Sequence, residues 1–229
     1  MINLLSICNQ FGFMKTSTIK HLVKDHQFRV AIFGSARMKV DDQRYKDIYK
    51  LAKMIAADGM DVVTGGGPGI MEAANRGHQE GRKKLHSHSV GLTIKLPKAQ
   101  ITNKHLDIKE EFHRFSKRLD EFMYLSNAVV VAPGGVGTML EFIYSWQLVQ
   151  VNHVCHIPII LLGYMWHDFL EWMKKWPVKR GFVDLKEMEC LYSVETIEEA
   201  MDIIKKAHHK FKKGKGTQCV NYLKYKIED

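Results

Sequence analysis

The 229-residue sequence predicts an α/β fold, one doubly wound parallel sheet with helices on both faces. Two observations carry this. From residue 29 onward, short β-branched runs alternate with longer stretches of helical spacing, and such alternation implies a parallel sheet with right-handed crossovers. The strand-like runs are also nearly continuously apolar, as strands covered on both faces are.

The elements follow in order. Arg29-Val30-Ala31-Ile32-Phe33-Gly34 reads as a buried strand ending in a turn. Within residues 43–58, Tyr45, Ile48, Leu51, Ala52 and Ile55 fall at helical spacing. Asp61-Val62-Val63-Thr64 is a short strand, and Gly65-Gly66-Gly67-Pro68-Gly69 follows it directly. Residues 70–80 read as helix and Ser89–Ile94 as a third strand. The connection 95–108, with Pro97 and Asn103, reads as irregular, and the charged, periodic residues 109–126 as helix. Ala128–Ala132 is the most strand-like run. Pro133-Gly134-Gly135-Val136-Gly137-Thr138 closes it, and a helix follows over 138–151. Ile157–Leu162 is a further strand. Helices near 166–176 and 195–210 complete the pattern, with a short strand near 190–193 between them. Residues 29–210 therefore form one α/β domain, preceded by an appendage (1–28) and followed by a basic tail (211–229).

A hydrophobic fraction of 45% supports a sizeable core and excludes disorder. The formal charge of +9 comes from scattered Lys and Arg. They are densest over Lys205–Lys215, where cations suit a helix C-terminus. No aromatic-interleaved RNA motif or zinc-finger spacing appears, so nucleic acid is not an expected partner. Cys8, Cys155, Cys190 and Cys219 form no CxxC pair, which argues against a zinc site and a disulfide framework and for reduced thiols. The 12 His residues show no HExxH spacing, and no metal is expected. No apolar run reaches membrane-spanning length. The first residues lack the basic start of a signal peptide. A cytoplasmic protein is expected.

In doubly wound sheets, ligands sit beyond the C-terminal strand ends, where both glycine turns fall. Glycine lets backbone N–H groups turn inward and lets a phosphate approach closely. The helix N-terminus that follows adds orphan donors and partial positive charge. Neither turn matches the dinucleotide fingerprint or the P-loop, so NAD binding and ATP hydrolysis are disfavoured. Two polar residues lie near these turns. On spacing alone, Glu141 serves the helix dipole or aims a carboxylate at a ligand. Arg118, within Lys117-Arg118-Leu119-Asp120-Glu121, reads as a surface residue pairing at i,i+3.

Three segments change that weighting: Phe33-Gly34-Ser35-Ala36-Arg37, the run Val63 to Gly77, and Pro133-Gly134-Gly135-Val136-Gly137-Thr138-Met139-Leu140-Glu141. Together with Glu111-Phe112-His113 and Leu148-Val149-Gln150 they closely resemble the LOG ("lonely guy") family, often labelled lysine decarboxylases. The resemblance runs from about residue 29 to 206 and is to the longer bacterial type. It implies a Rossmann-like fold and a homodimer or larger assembly. It also implies hydrolysis of the N-glycosidic bond of nucleoside 5′-monophosphates, AMP-like or cytokinin-like, to free base and ribose 5-phosphate, with no cofactor. By the same resemblance Gly134, Gly135, Val136, Gly137 and Thr138 bind phosphate and ribose. Arg118 and Glu141 are the catalytic pair. Ser35, Gly65, Gly66, Gly67, Met71 and Glu72 form the rest of the pocket. The chain departs from the family pattern at Leu119, where Lys is usual, and at Leu140 and Gln147. Decarboxylation would need a Schiff-base Lys for PLP, and no residue pattern marks one. The rival reading is a non-catalytic binder of a phosphorylated ligand, a nucleotide or a molybdenum cofactor, as in carrier proteins of the wider superfamily.

Overall fold

The computed structural model describes residues 27–82, 87–97 and 101–214. Seven strands form one parallel sheet: β1 (Arg29–Phe33), β2 (Asp61–Thr64), β3 (Ser89–Ile94), β4 (Ile108–Phe112), β5 (Ala128–Val131), β6 (Ile159–Leu162) and β7 (Leu191–Val194), in the order β4-β3-β2-β1-β5-β6-β7. Among the described residues, six α-helices accompany them: α1 (Gln43–Ala57), α2 (Ile70–Gly81), α3 (Phe115–Leu125), α4 (Val136–Gln150), α5 (Tyr164–Met173) and α6 (Ile197–Lys212).

The pleat sorts the core into two layers. Val30 and Ile32 of β1 and Val62 of β2 pack with α1, α2 and α6, whereas Ala31, Phe33 and Val63 pack with α3, α4 and α5. Every residue of β1, β2, β3, β5 and β6 is buried, which explains their mostly apolar runs. Each fully buried large apolar side chain contributes about 1.5–3 kcal/mol.

The strand order fixes where a ligand sits. The chain builds outward from β1 through β2, β3 and β4, then returns to lay β5 on the other side of β1. The winding therefore reverses between β1 and β5, the crevice that open α/β sheets use for binding. The two glycine turns follow β2 and β5, the two strands that flank β1.

One segment departs from expectation. Residues 108–112 are an edge strand, not part of an irregular connection and a helix, and α3 starts only at Phe115. Ile108 and Phe112 stand four apart with Lys and Glu between them, a spacing that fits a helix as well as a strand. Tertiary pairing decides: β4 pairs β3 from Val90↔Ile108 to Ile94↔Phe112. Asp107 fixes the register, its carboxylate accepting from Ser89 N–H at 2.8 Å and Arg82 at 2.9 Å. The alternating half-buried and exposed positions, with charges facing water, suit an edge.

Cys190 is a buried free thiol. Cys155, against the expectation of reduced thiols, is disulfide-bonded; proximity in the fold, which separation along the chain does not show, decides such pairing. Phe28, placed in the appendage by sequence, is 2% exposed and packs edge-on against Phe211 of α6. Among the described residues, no helix is long and apolar enough to cross a membrane.

Candidate active site

The second glycine turn is open toward solvent. Pro133 and Gly134 lead from β5 into α4, whose N-cap is Gly135, and no side chain caps the helix. The N–H groups of its first turn are therefore free of a side-chain acceptor, and donors of this kind at a helix N-terminus suit an anion. A Cβ on Gly135 or Gly137 would meet nothing within 4 Å. Gly134 differs: its Cβ would fall 2.1 Å from Thr138 Oγ1, so the bare glycine lets the buried Thr138 fold under the turn. Val136 is 88% exposed.

The first turn is packed. Gly66 and Gly69 have φ of +68° and +69°, a region that favours glycine. A Cβ on Gly69 would lie 2.4 Å from the carbonyl oxygen of Ser35. Ser35 ties the turns together: its N–H donates to Pro133 O at 3.1 Å, and its carbonyl accepts from Ile70 N–H at 3.0 Å. The three turns after β1, β2 and β5 thus form one hydrogen-bonded edge.

Arg118 and Glu141 meet beside that edge. Arg118 sits on α3 and Glu141 on α4, on the same side of the sheet. Nη2 of Arg118 donates to Glu141 Oε1 at 2.6 Å, with side chains 9% and 12% exposed. The i,i+3 pairing with Glu121 suggested by spacing alone does not form; the arginine reaches across helices instead. The guanidinium lies over the rings of Phe115 and Phe122, 5.9 and 5.5 Å from their centroids. Its Nε is buried without a hydrogen-bond partner. Nη1 lies 3.4 Å from where a Gly65 Cβ would be, and that Cβ would also meet Met71 Sδ at 2.8 Å. Gly65 is therefore the point at which the first turn touches the pair.

Burial pushes the Glu141 carboxyl up to about 7, with Arg118 pulling the other way. Burial lowers the Arg118 guanidinium while Glu141 raises it, and an arginine stays protonated through any working pH. A carboxyl that titrates near neutrality beside a fixed cation is suited to acid–base work or to stabilising developing positive charge.

Beside Gly65 and Gly66 opens a cavity of about 350 Å³ lined by Thr93, Ile94, Lys95, Leu96, Pro97, Ile101, Thr102 and Glu111. Sequence reasoning treated the segments around it as an irregular connection and a helix, and so missed this wall. Ser35 lines a second, shallower cleft with Arg37, Lys39 and Arg44. Glu72 lies in the first turn of α2, close enough to Tyr45 and His105 to influence their titration, and no described contact ties it to Arg118 or Glu141. His113 is exposed. Among the described residues, no group of three His, Cys, Asp or Glu side chains could hold a metal. Leu119 is buried in α3, whereas Leu140 is 45% exposed.

A doubly wound parallel sheet whose winding reverses between β1 and β5, with an uncapped helix N-terminus and a buried Arg–Glu pair beside that point, belongs to the class of Rossmann-like α/β proteins. Within it, residues 71–204 match the family model described as "Possible lysine decarboxylase", and the chain belongs to that family, the LOG family. The chain is 28% identical over 159 residues to a protein of Oryza sativa subsp. japonica named probable cytokinin riboside 5′-monophosphate phosphoribohydrolase, covering 66% of this chain and 71% of that one. It is 26% identical over 135 residues to the pyrimidine/purine nucleotide 5′-monophosphate nucleosidase of Escherichia coli K12, covering 54% of this chain but only 29% of that longer protein. Among solved structures, the molybdenum cofactor binding protein of Rippkaea orientalis superposes with a TM-score of 0.60 at 18% identity, over 79% of this chain and 96% of that one. The molybdenum cofactor carrier protein of Chlamydomonas reinhardtii gives 0.58 at 19%, over 80% and 99%. These two likenesses establish the fold.

Proposed function

We propose that the chain is a nucleoside 5′-monophosphate phosphoribohydrolase, releasing free base and ribose 5-phosphate from AMP or an N6-modified AMP. The observation that carries this is the buried Arg118–Glu141 ion pair, its arginine facing the first glycine turn at Gly65 and its glutamate standing on the helix that the second turn opens. The monophosphate sits on Gly134–Thr138, where N–H groups and open glycines accept an anion. The base occupies the cavity beside Gly65 and Gly66, whose size is within the range of small-ligand pockets.

Cleavage of the C1′–N bond passes through an oxocarbenium-like transition state. The Glu141 carboxylate stabilises that charge and accepts a proton from the water that attacks C1′, while the bond's electron pair leaves with the base, which takes up a proton from solvent to become the free base. Arg118 does not give up a proton; it holds Glu141 ionised and positions phosphate or ribose. The ionised carboxylate is the working form, so activity rises with pH through about 7. A rate that instead falls above 7 would make Glu141 the acid that protonates the leaving base. Chromatographic detection of adenine after incubation with AMP, with adenosine as control, tests the reading. Tight AMP binding without adenine release supports the binder instead.

The assembly is proposed as a homodimer. Val136, Leu140, Ile143 and Val151, spaced along one face of α4 and just beyond, are all more than 40% exposed, a stripe that monomers rarely leave bare. A cytoplasmic location is proposed with it, where nucleoside monophosphates are formed and consumed; the Cys155 disulfide is the feature at odds with that compartment.

A further inference from the structure

Beneath the first glycine turn lies a closed polar network that the catalytic reading does not use. Thr64 Oγ1 donates to Asn75 Oδ1 at 2.7 Å and accepts from Gly66 N–H at 3.0 Å. Asn103 Nδ2 donates to Asn75 Oδ1 and to Gly67 O, both at 2.9 Å. The Asn103 N–H donates to Gly66 O at 2.9 Å, and its Oδ1 accepts from His105 N–H at 3.0 Å. Asn75 Nδ2 donates to Ser89 Oγ at 2.9 Å, and the Ser89 hydroxyl donates in turn to His105 O at 2.7 Å. Thr64, Asn75 and Ser89 are fully buried and Asn103 is 8% exposed.

Both Nδ2 hydrogens and the carbonyl oxygen of Asn103 are used, so its amide has one orientation and one place. Its three bonds to the turn and to Asn75 hold the Gly66 and Gly67 carbonyls, while Thr64 holds the Gly66 N–H. The turn cannot rotate without leaving buried polar groups unpaired. Gly65, one residue away, faces Arg118: a Cβ there would stand 3.4 Å from Nη1. We infer that Asn103, Asn75 and Thr64 are positioning residues: by clamping the turn they set where Arg118 stands and hence the geometry of the Arg118–Glu141 pair. The inference rests on the proposed activity for its kinetic consequence, and on the structure alone for its effect on ligand binding.

The test compares Asn103→Ala and Thr64→Val with two controls. Thr64→Ser keeps the hydroxyl and rescues. His78→Gln perturbs an equally buried polar side chain on α2 that bonds Met60 O, before β2 begins and so at the opposite strand end from the turn. At temperatures where all are folded by circular dichroism, Asn103→Ala and Thr64→Val lose about tenfold or more in kcat/KM for AMP. Thr64→Ser and His78→Gln stay near wild type, whatever their melting temperatures. Wild-type kcat and KM in folded Asn103→Ala and Thr64→Val overturn the role, as does an equal loss in His78→Gln. If Asn103→Ala does not fold, the nearly isosteric Thr64→Val decides. Absence of turnover by the wild-type chain counts against the phosphoribohydrolase reading alone. Calorimetric AMP affinity then takes over: about tenfold weakening in the two network variants, and none in His78→Gln, upholds the clamp, and unchanged affinity sinks it.

Discussion

The two glycine turns look alike in sequence and differ in what the missing side chains make room for. At Gly65, Gly66 and Gly69 the space where a Cβ would sit is filled by the protein itself: Met71 at Gly65, Thr93 at Gly66, the Ser35 carbonyl at Gly69. At Gly135 and Gly137 it is filled by nothing. The first turn spends its glycines on close packing and positive φ; the second leaves them bare beside uncapped helix N–H groups. One is a wall and the other a cradle, and the Arg118–Glu141 pair stands where they meet.

The largest effect comes from removing the chemistry at that meeting point. Glu141→Gln should lower adenine release from AMP by about a thousandfold, within the range for losing an acid–base group, while AMP still binds. Arg118→Ala should lose activity as well; if only AMP affinity drops, Arg118 is a binder. Retained turnover in Glu141→Gln would remove the carboxylate from the mechanism.

Next in size is a stability effect confined to the wall. Gly69→Ala must place a Cβ against the Ser35 carbonyl at positive φ, and should cost about 2–4 kcal/mol in urea unfolding, combining backbone strain with overpacking. Gly137→Ala should behave in the opposite way. It lies in the first turn of α4 with open space around it, so the helix gains about 0.5–1 kcal/mol from alanine, while ribose 5-phosphate binding weakens because a methyl now stands in the phosphate's path. If the two substitutions change stability in the same direction, the division into wall and cradle is wrong.

Much of this fold is legible in sequence because burial on both faces leaves strands with unbroken apolar runs, as in Ala128–Val131. What escaped was β4, where Ile108 and Phe112 satisfy helical and strand spacing alike and only pairing with β3 separates the two. The glycine turns and the motif residues around them are visible as letters. Their roles are not, because a glycine that admits a ligand and one that admits a neighbouring carbonyl read the same. The Arg118–Glu141 contact spans 23 residues and two helices, so local charge pairing pointed to Glu121 instead. The clamp under the first turn draws on β2, α2, β3 and the segment before β4, residues that carry no pattern until the fold brings them together.

The smallest effect uses a second raised carboxyl to separate burial from chemistry. Glu121, on the same helix as Arg118, is pushed up to about 7 by burial and by the neighbouring Glu110 and Asp120 carboxyls. Glu141 reaches the same value against the pull of an arginine. With a folded value above the unfolded one, near 4.5, the native state of Glu121 binds the extra proton. Its ionisation therefore takes stability away as pH rises from about 4.5 to about 7 and beyond. Glu121→Gln removes that loss, so the variant should be more stable than wild type by about 1 kcal/mol at pH 8, below the full linkage value because the side chain is half-buried, with the gap closing toward pH 5. Thermal melts across pH 5–8 read this directly. The rising limb of activity through about 7 should persist in Glu121→Gln, because that limb belongs to Glu141; its disappearance would assign the titration to the wrong carboxylate.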